Sequence, residues 1–285
     1  MTVPFDLDGA IAVVTGAGSG IGRASARSFA ARGARVAVSD VDAERAEETA
    51  ALVERAGGEA IAVTVDVAQQ ADLEDLRDRC LKQFGRVDVV FNNVGVLAMG
   101  APEALPVEAW QRVLDLNVLS IARSNVVFLP LLLAQGRGHV VNTASASGLL
   151  AYGFDRLPYV ASKHAVVGVT EALALYLGPK GIGVTCVCPS GVVTNIVEQI
   201  TVFGEATSPR APQHPLVDAD FVGELIADAV TAGTFLVVTA PEIHDELLER
   251  ASDPAGLTDS TLLAAADAAL ARMGVARPVV GRGRT

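Results

Sequence analysis

The chain of 285 residues carries 33 acidic against 22 basic side chains, a formal charge of -11, with 51% hydrophobic and 5% aromatic residues. That excess of negative charge argues against a nucleic-acid partner, because phosphate binding needs clustered cations. Cys80, Cys186 and Cys188 form no disulfide framework, four scattered histidines lack metal-ligand spacing, no signal peptide is visible, and the most apolar run (126–134) contains Pro130 and is too short to span a bilayer. The expectation is a cytoplasmic protein with no metal and no membrane partner.

The first predicted strand, residues 10–15, runs directly into Thr15-Gly16-Ala17-Gly18-Ser19-Gly20-Ile21-Gly22-Arg23, after which a helical pattern begins. Glycines permit a tight turn and a close approach of backbone to pyrophosphate, while the helix N-terminus offers unpaired N–H groups and the positive end of a dipole. Gly16, Ser19, Gly20, Ile21 and Gly22 are therefore candidate cofactor contacts. A second strand, residues 35–39, ends at Asp40. A carboxylate there accepts hydrogen bonds from the adenosine ribose hydroxyls and repels a 2'-phosphate, which favours NAD over NADP. Arg23 and Arg45 are the nearest cations that could reverse that preference by swinging inward.

Strands at 60–65, 87–91, 139–143, 183–188 and 235–239 follow, separated by amphipathic helical patterns such as 41–55 and 71–84. Near-continuous apolar strands joined by helical crossovers imply an α/β protein with seven mainly parallel strands and helices on both faces. No interior linker breaks the rhythm up to about residue 188, so residues 1–285 read as a single domain. Residues 190–217 contain too many glycines and prolines for a regular element and are expected to form a substrate lid or a surface excursion. A C-terminal extension at about 255–285 is expected to hold a helix at 257–273 and a loose tail at 277–285.

Between the fifth and sixth strands stands Tyr159-Val160-Ala161-Ser162-Lys163, whose spacing of four puts a phenol and an ammonium on one helix face. A free tyrosine titrates near ~10 and needs a neighbouring positive charge to act as a base at neutral pH. So placed, Tyr159 can exchange a proton with an alcohol or carbonyl oxygen. An isolated Tyr-x-x-x-Lys is more often a half-buried tyrosine beside a surface lysine, and the rest of the chain must decide.

Taken in order, Thr15-Gly16-x-x-x-Gly20-x-Gly22, Asp66-Val67, Asn92-Asn93-Val94-Gly95, Asn117, Ser145-x-x-Gly148, Tyr159-x-x-x-Lys163 and Pro189 through Thr194 resemble the short-chain dehydrogenase/reductase family, in its smaller single-domain NAD(P)-dependent form. The resemblance covers residues 7 to about 240. It implies a Rossmann-like doubly wound sheet with strand order 3-2-1-4-5-6-7. It further implies that Tyr159 is the acid/base and that Ser145 hydrogen-bonds the substrate oxygen. By the same resemblance Lys163 binds the nicotinamide ribose and lowers the tyrosine pKa, and Asn117 holds a relay water. Asp66 and Val67 would meet the adenine, Asn93 and Gly95 would line the adenosine side, and Val192 and Thr194 would fix the carboxamide. Ser147 is an alternative to Ser145.

Three departures from the family pattern stand out. Val94 replaces an alanine, Ser190 follows Pro189 where glycine is common, and Ser145 and Tyr159 are fourteen positions apart where thirteen is usual, so the loop at 149–158 is expected to bulge. The segments expected around the substrate, 96–99, 149–154 and 196–197 with Ile200, are apolar and favour a hydrophobic secondary alcohol or ketone. The leading expectation is an NAD-dependent alcohol dehydrogenase. An NADPH-dependent oxoacyl-thioester reductase and a nucleotide-binding regulator without turnover are the alternatives. A homotetramer or homodimer built on helices near 106–134 and 158–178 completes the expectation.

Overall fold

Parallel strands need long crossovers, and the helical segments of this chain supply them. In a computed structural model, which describes residues 2–194, 199–204 and 214–252, the first half runs β1 (Ile11–Thr15), α1 (Gly20–Ala31), β2 (Arg35–Asp40), α2 (Ala43–Arg55), β3 (Ala60–Thr64), α3 (Gln70–Phe84), β4 (Val89–Asn92) and a short β5 (Leu97–Met99). There follow α4 (Val107–Leu114), a π-helical turn at Asp115–Leu119, α5 (Ser120–Gln135), β6 (Gly138–Thr143), α6 (Leu157–Leu177) and β7 (Ile182–Cys188). The short β8 (Val192–Val193), β9 (Ile200–Val202) and β10 (Val217–Asp218) precede α7 (Ala219–Ala232), β11 (Leu236–Val238) and α8 (Glu242–Ser252).

Seven strands form the main sheet in the order β11-β7-β6-β4-β1-β2-β3, every neighbouring pair parallel. Numbered within that sheet alone, this is the expected order 3-2-1-4-5-6-7. Successive strand residues point to opposite faces, so Ala12 and Val14 join Phe29, Phe91, Val222 and Ile226 on one side of the sheet. Val13 joins Leu73, Phe128, Leu132 and Leu177 on the other. Both faces of β1 and β7 are buried along their whole length, which is why these strands read as unbroken apolar runs. After β3 the chain returns to the far side of β1, and the reversal opens a crevice beyond the carboxyl ends of β1 and β4.

The segment 190–217 differs from expectation where it is described. Its breakers do not prevent strand pairing: β8 pairs with β10, and β9 pairs with β5 through Leu97 opposite Ile200. The predicted helix at 257–273 and the tail at 277–285 lie outside the described residues, as do 195–198 and 205–213 of the expected lid. Two helical stretches, Val107–Gln135 and Leu157–Lys180, are long and apolar enough by length and composition to cross a membrane. Here they cover the sheet, with Val127, Phe128, Leu132 and Leu177 buried against it.

One buried group gives this core a pH dependence. His139 in β6 has no exposed surface, and its Nε2 lies 2.8 Å from Thr185 Oγ1. The Thr185 hydroxyl donates to the Thr234 carbonyl at 2.7 Å, so His139 Nε2 must be the donor and Nδ1 keeps a bare lone pair. Glycine faces it at position 183, where a Cβ would stand 2.2 Å from Nδ1. Burial pushes the imidazole pKa down to about 3.

The unfolded chain, with a histidine near 6.5, therefore takes up a proton that the fold refuses until about pH 3, and folding stability falls as pH drops through that window. At pH 5 the loss amounts to about 2 kcal/mol. Urea unfolding of the wild type at pH 7.5 and pH 5 should show this loss, and His139→Leu should reduce the difference between the two pH values by a similar amount. An unchanged difference in His139→Leu would remove the histidine from the account.

Candidate active site

β1 ends in a loop whose shape depends on absent side chains. Gly16 and Gly20 have φ of +62° and +51°, the left-handed region that glycine adopts without cost. A Cβ on Gly22 would lie 2.2 Å from the Gly16 carbonyl oxygen, and one on Gly18 would lie 2.8 Å from the Asp40 carboxylate. That closeness is used: Gly18 N donates to Asp40 Oδ2 at 2.9 Å, and Asp42 N donates to Oδ1 at 3.0 Å. Asp40 is thereby fixed at the end of β2.

The two arginines that could swing toward Asp40 are engaged elsewhere. Arg23 donates to the Gly18 carbonyl at 2.5 Å, to Glu48 at 2.6 Å and to Thr49 Oγ1 at 2.9 Å. Arg45 pairs with Asp42 at 3.3 Å.

Asn93, just past β4, joins three strand ends. Its Nδ2 donates to the Gly16 carbonyl at 3.2 Å, its backbone N to Thr15 Oγ1 at 3.2 Å, and its Oδ1 accepts from Thr143 Oγ1 at 3.1 Å. Val94 is accommodated against the apolar layer of α3 and α5. At Gly95 a Cβ would stand 3.2 Å from Lys163 Nζ, a tight contact that the ammonium would have to relieve by a small shift. Where the adenosine is expected, Asp66 Oδ1 accepts from Ala68 N at 2.9 Å in a local turn, and Arg123 holds Asp115 while reaching the Val67 carbonyl at 3.5 Å.

Asn117 is buried in the π-helical turn, and its amide is fully occupied. Oδ1 accepts from Val96 N at 2.8 Å, while Nδ2 donates to the Val96 carbonyl at 3.1 Å and to Ser162 Oγ at 2.9 Å. Its side chain therefore braces the Val96 backbone, and a relay water at this place would have to use a backbone group of the turn.

Pro158 sits at the start of α6, where its missing N–H is harmless, and the next two turns carry Tyr159 and Lys163. The side chain of Tyr159 lies beside Ser145, and its ring centroid lies 5.6 Å from Lys163 Nζ. Ser145 Oγ also accepts from Ser147 N at 3.1 Å. Ser145 lines the cleft and Ser147 does not, which separates the two alternatives geometrically. Lys163, 2% exposed, donates to the Thr143 carbonyl at 2.8 Å.

Burial dominates the titration of both groups. It raises the Tyr159 pKa, against smaller lowering contributions from the Ser145 hydrogen bond and the Arg156 charge. It lowers the Lys163 pKa to about 8. In the protein alone, burial of Tyr159 thus outweighs the contributions that lower its pKa. Cys186 and Cys188 are buried with sulfurs 3.8 Å apart, and the Cys186 contact together with burial raises the Cys188 thiol pKa.

These groups converge on one cleft of about 960 Å³. Gly16, Ser19, Gly20, Ile21, Asp40, Asp66, Val67, Asn93, Gly95, Ser145, Tyr159, Lys163, Val192 and Thr194 line it. Gly22 and Asn117 stand behind the wall, one as a spacer and the other as a brace. A glycine cradle that any Cβ would fill, a helix N-terminus and a carboxylate at the second strand end fit a nicotinamide dinucleotide.

The family departures are absorbed locally. Ser190 bonds Thr239 through both its N, at 2.9 Å, and its Oγ, at 2.8 Å, and no described non-glycine residue has positive φ. In the longer loop, Tyr152 donates to Glu246 on α8 at 2.5 Å, and the Asp155 carbonyl accepts from Gly100 N at 2.8 Å.

Two expectations about the substrate side change. Leu97, Ala98 and Met99 are buried rather than open to the cleft, and of the segment 96–99 only Val96 lines it. The segment 149–154 packs toward α8 and does not line the cleft, while 196–197 lie outside the described residues. Thr143, Arg112 and Gln199 line the cleft without having been anticipated. Thr143 carried a signal, the last residue of a strand two positions before Ser145; Arg112 and Gln199 carried none.

A family model described as short chain dehydrogenase matches residues 10–203. Cyclohexanol dehydrogenase of Acinetobacter sp. (strain SE19) is 37% identical over 208 residues, 72% of this chain and 80% of that protein. Meso-2,3-butanediol dehydrogenase of Serratia marcescens is 37% identical over 189 residues, 66% of this chain and 74% of that protein. Among solved structures, a short chain dehydrogenase/reductase from Burkholderia phymatum in complex with NAD matches with a TM-score of 0.79 at 34% identity, covering 88% of this chain and 95% of that one.

The glycine cradle generates a direct test. Gly22→Ala places a methyl group against backbone that cannot yield without moving the loop, so it should lower stability by about 1–3 kcal/mol. It should also weaken dinucleotide binding by roughly tenfold or more. Thermal melting and a cofactor titration check both, and a variant that binds normally would show that the loop is not the cradle.

Proposed function

We propose that this chain, which belongs to the short-chain dehydrogenase family, is an NAD-dependent oxidoreductase that moves a hydride between a hydrophobic secondary alcohol or ketone and the nicotinamide. The observation that carries this reading is the convergence of Ser145, Tyr159 and Lys163 at one end of a cleft whose other end is closed by Asp40. Cyclohexanol and butanediol dehydrogenases among the relatives support a secondary alcohol as the reacting group.

The chain's own residues supply proton transfer and positioning. The Ser145 and Tyr159 hydroxyls, on the same wall of the cleft, would share the substrate oxygen between them. Tyr159 would take the alcohol proton in the oxidative direction and return it to the carbonyl oxygen in the reductive one. Lys163, anchored on the Thr143 carbonyl, has N–H donors left for ribose hydroxyls, and such acceptors favour its charged form. The nicotinamide, when bound, accepts or gives the hydride, and Val192 and Thr194 would orient its carboxamide.

Asp40 supports NAD over NADP, because a 2'-phosphate would meet a fixed carboxylate while Arg23 and Arg45 are already paired. This weighs against the NADPH-dependent oxoacyl-thioester reductase. The complete proton-transfer set weighs against a regulator without turnover. Val107, Leu119 and Val126 on the α4–α5 stretch and Leu175 and Tyr176 on α6 expose large apolar surface, which supports self-association through these helices into a dimer or tetramer.

Following reduced cofactor by absorbance with a panel of secondary alcohols, cyclohexanol among them, tests the reaction. Tyr159→Phe should keep NAD affinity and lose turnover by roughly 10²–10⁴-fold. Ser145→Ala should fall steeply while Ser147→Ala does not, and retained turnover in Tyr159→Phe at neutral pH would overturn the assignment. Asp40→Ala should weaken NAD binding and narrow the NAD-to-NADP preference by roughly tenfold or more; a wild type that prefers NADPH would contradict this reading of the second strand.

A further inference from the structure

The loop that runs from Ser145 to Tyr159 is held from outside the cleft by α8. Arg250 donates to the Leu149 carbonyl at 2.8 Å, and Glu246, one turn earlier, accepts from the Tyr152 hydroxyl at 2.5 Å. A spacing of four puts both side chains on one face of the helix. Ala146, Leu149 and Tyr152 pack there with Ile243 and Leu247, so α8 covers the stretch that begins next to Ser145. The far half of the loop is held separately, by Gly100 N on the Asp155 carbonyl at 2.8 Å.

Glu246 has a second partner. Its Oε1 lies 3.0 Å from His214 Nε2, and because a carboxylate only accepts, Nε2 carries the hydrogen. His214 is 7% exposed, and its ring stands edge-on to that of Tyr152 with centroids 5.6 Å apart. Three residues later begins β10, which pairs Val217 with Val192, and Val217 N donates to the Gly191 carbonyl at 3.0 Å. Val192 lines the cleft, whereas Tyr152, His214 and Glu246 do not. Burial, and after it the Glu246 bond, raises the Tyr152 pKa, so the phenol remains a donor at neutral pH. Packing of α8 on the loop requires only Ile243 and Leu247; the Glu246 carboxylate adds a link between two segments that each lead to the cleft.

We propose that Glu246 is a positioning residue for the reaction: by holding Tyr152 and His214 at once, it fixes the Ser145–Tyr159 loop against the β8–β10 ribbon and so sets the reacting hydroxyls relative to the wall at Val192. The catalytic consequence rests on the hydride-transfer reading above. The hold itself does not.

Tyr152→Phe removes one hydroxyl, Glu246→Ala removes the shared acceptor, and Glu246→Gln keeps an oxygen for the Tyr152 hydroxyl. Each is assayed for kcat and KM with the best alcohol of the panel, for NAD affinity and for melting temperature. Since displacement of reacting groups by about 1 Å costs up to ~10²-fold in rate, Glu246→Ala should lower kcat by roughly tenfold or more. NAD affinity should not change, because the Asp40 end is untouched. Tyr152→Phe should lose part of the same activity, the double variant no more than Glu246→Ala alone, and Glu246→Gln should recover most of the loss. Glu249→Ala, which removes an exposed charge from the same helix, should keep the wild-type kcat. Amide hydrogen exchange reads the hold without turnover: residues 149–154 and 214–217 should exchange faster in Glu246→Ala than in wild type or Glu246→Gln.

A wild-type kcat in Glu246→Ala, losses that add in the double variant, or a Glu246→Gln no better than Glu246→Ala would overturn the positioning role. Faster exchange spread over the whole sheet, with a matching fall in melting temperature, would overturn it as well and leave Glu246 a general stabiliser of the fold. Unchanged exchange in Glu246→Ala would overturn the hold itself. Faster exchange confined to the two segments, in a protein that reduces no NAD with any alcohol, would sink the hydride-transfer reading and leave the hold standing.

Discussion

A lysine ammonium with 2% exposure must be hydrogen-bonded where it lies, and the Lys163 contact with the Thr143 carbonyl at 2.8 Å is the interaction on which the cleft depends. Thr143 ends β6, and its hydroxyl bonds Asn93 beyond β4, whose amide in turn bonds the Gly16 carbonyl beyond β1. One chain of hydrogen bonds thus ties α6 to three strand ends and the glycine loop. Gly95 borders it, and a side chain there would press on the ammonium. The crevice between β1 and β4 is given by the parallel topology; the hydrogen-bonded chain fixes the distance from the glycine cradle to Tyr159.

That anchoring also explains a division of labour in the electrostatics. Burial holds Tyr159 as a phenol and strips Lys163 of part of its preference for charge. The pair is therefore not a preset base. Lys163 keeps N–H donors for added acceptors, and each acceptor that favours the ammonium lowers the cost of a phenolate 5.6 Å away. On the proposed reading, desolvation couples proton transfer to occupation of the cleft with no moving part.

Most of this was readable in the sequence wherever the physics is local. The main-sheet strands are apolar on both faces, so they show as runs; the glycine loop, Asp40 and the Tyr159/Lys163 spacing are short-range patterns with a chemical purpose. What was not readable depends on contacts distant in sequence. Leu97 opposite Ile200 joins segments about a hundred residues apart, and no periodicity announces such a ribbon. It buries Leu97, Ala98 and Met99, which looked like substrate wall, and borders a groove whose Arg112 and Gln199 also line the main cleft. The engagement of the Asn117 amide with Val96 was hidden for the same reason, since an asparagine in a helical pattern does not reveal which backbone it will meet.

The central claim is that Tyr159 becomes a base when the neighbouring lysine gains acceptors. Its most direct test is the ionisation of that phenol, read as the phenolate absorbance of wild type minus Tyr159→Phe across pH, with and without saturating NAD. The account predicts a titration above the ordinary tyrosine value of ~10 for the protein alone, moving well below it when NAD is bound. A Tyr159 titration that does not move downward on NAD binding would contradict it.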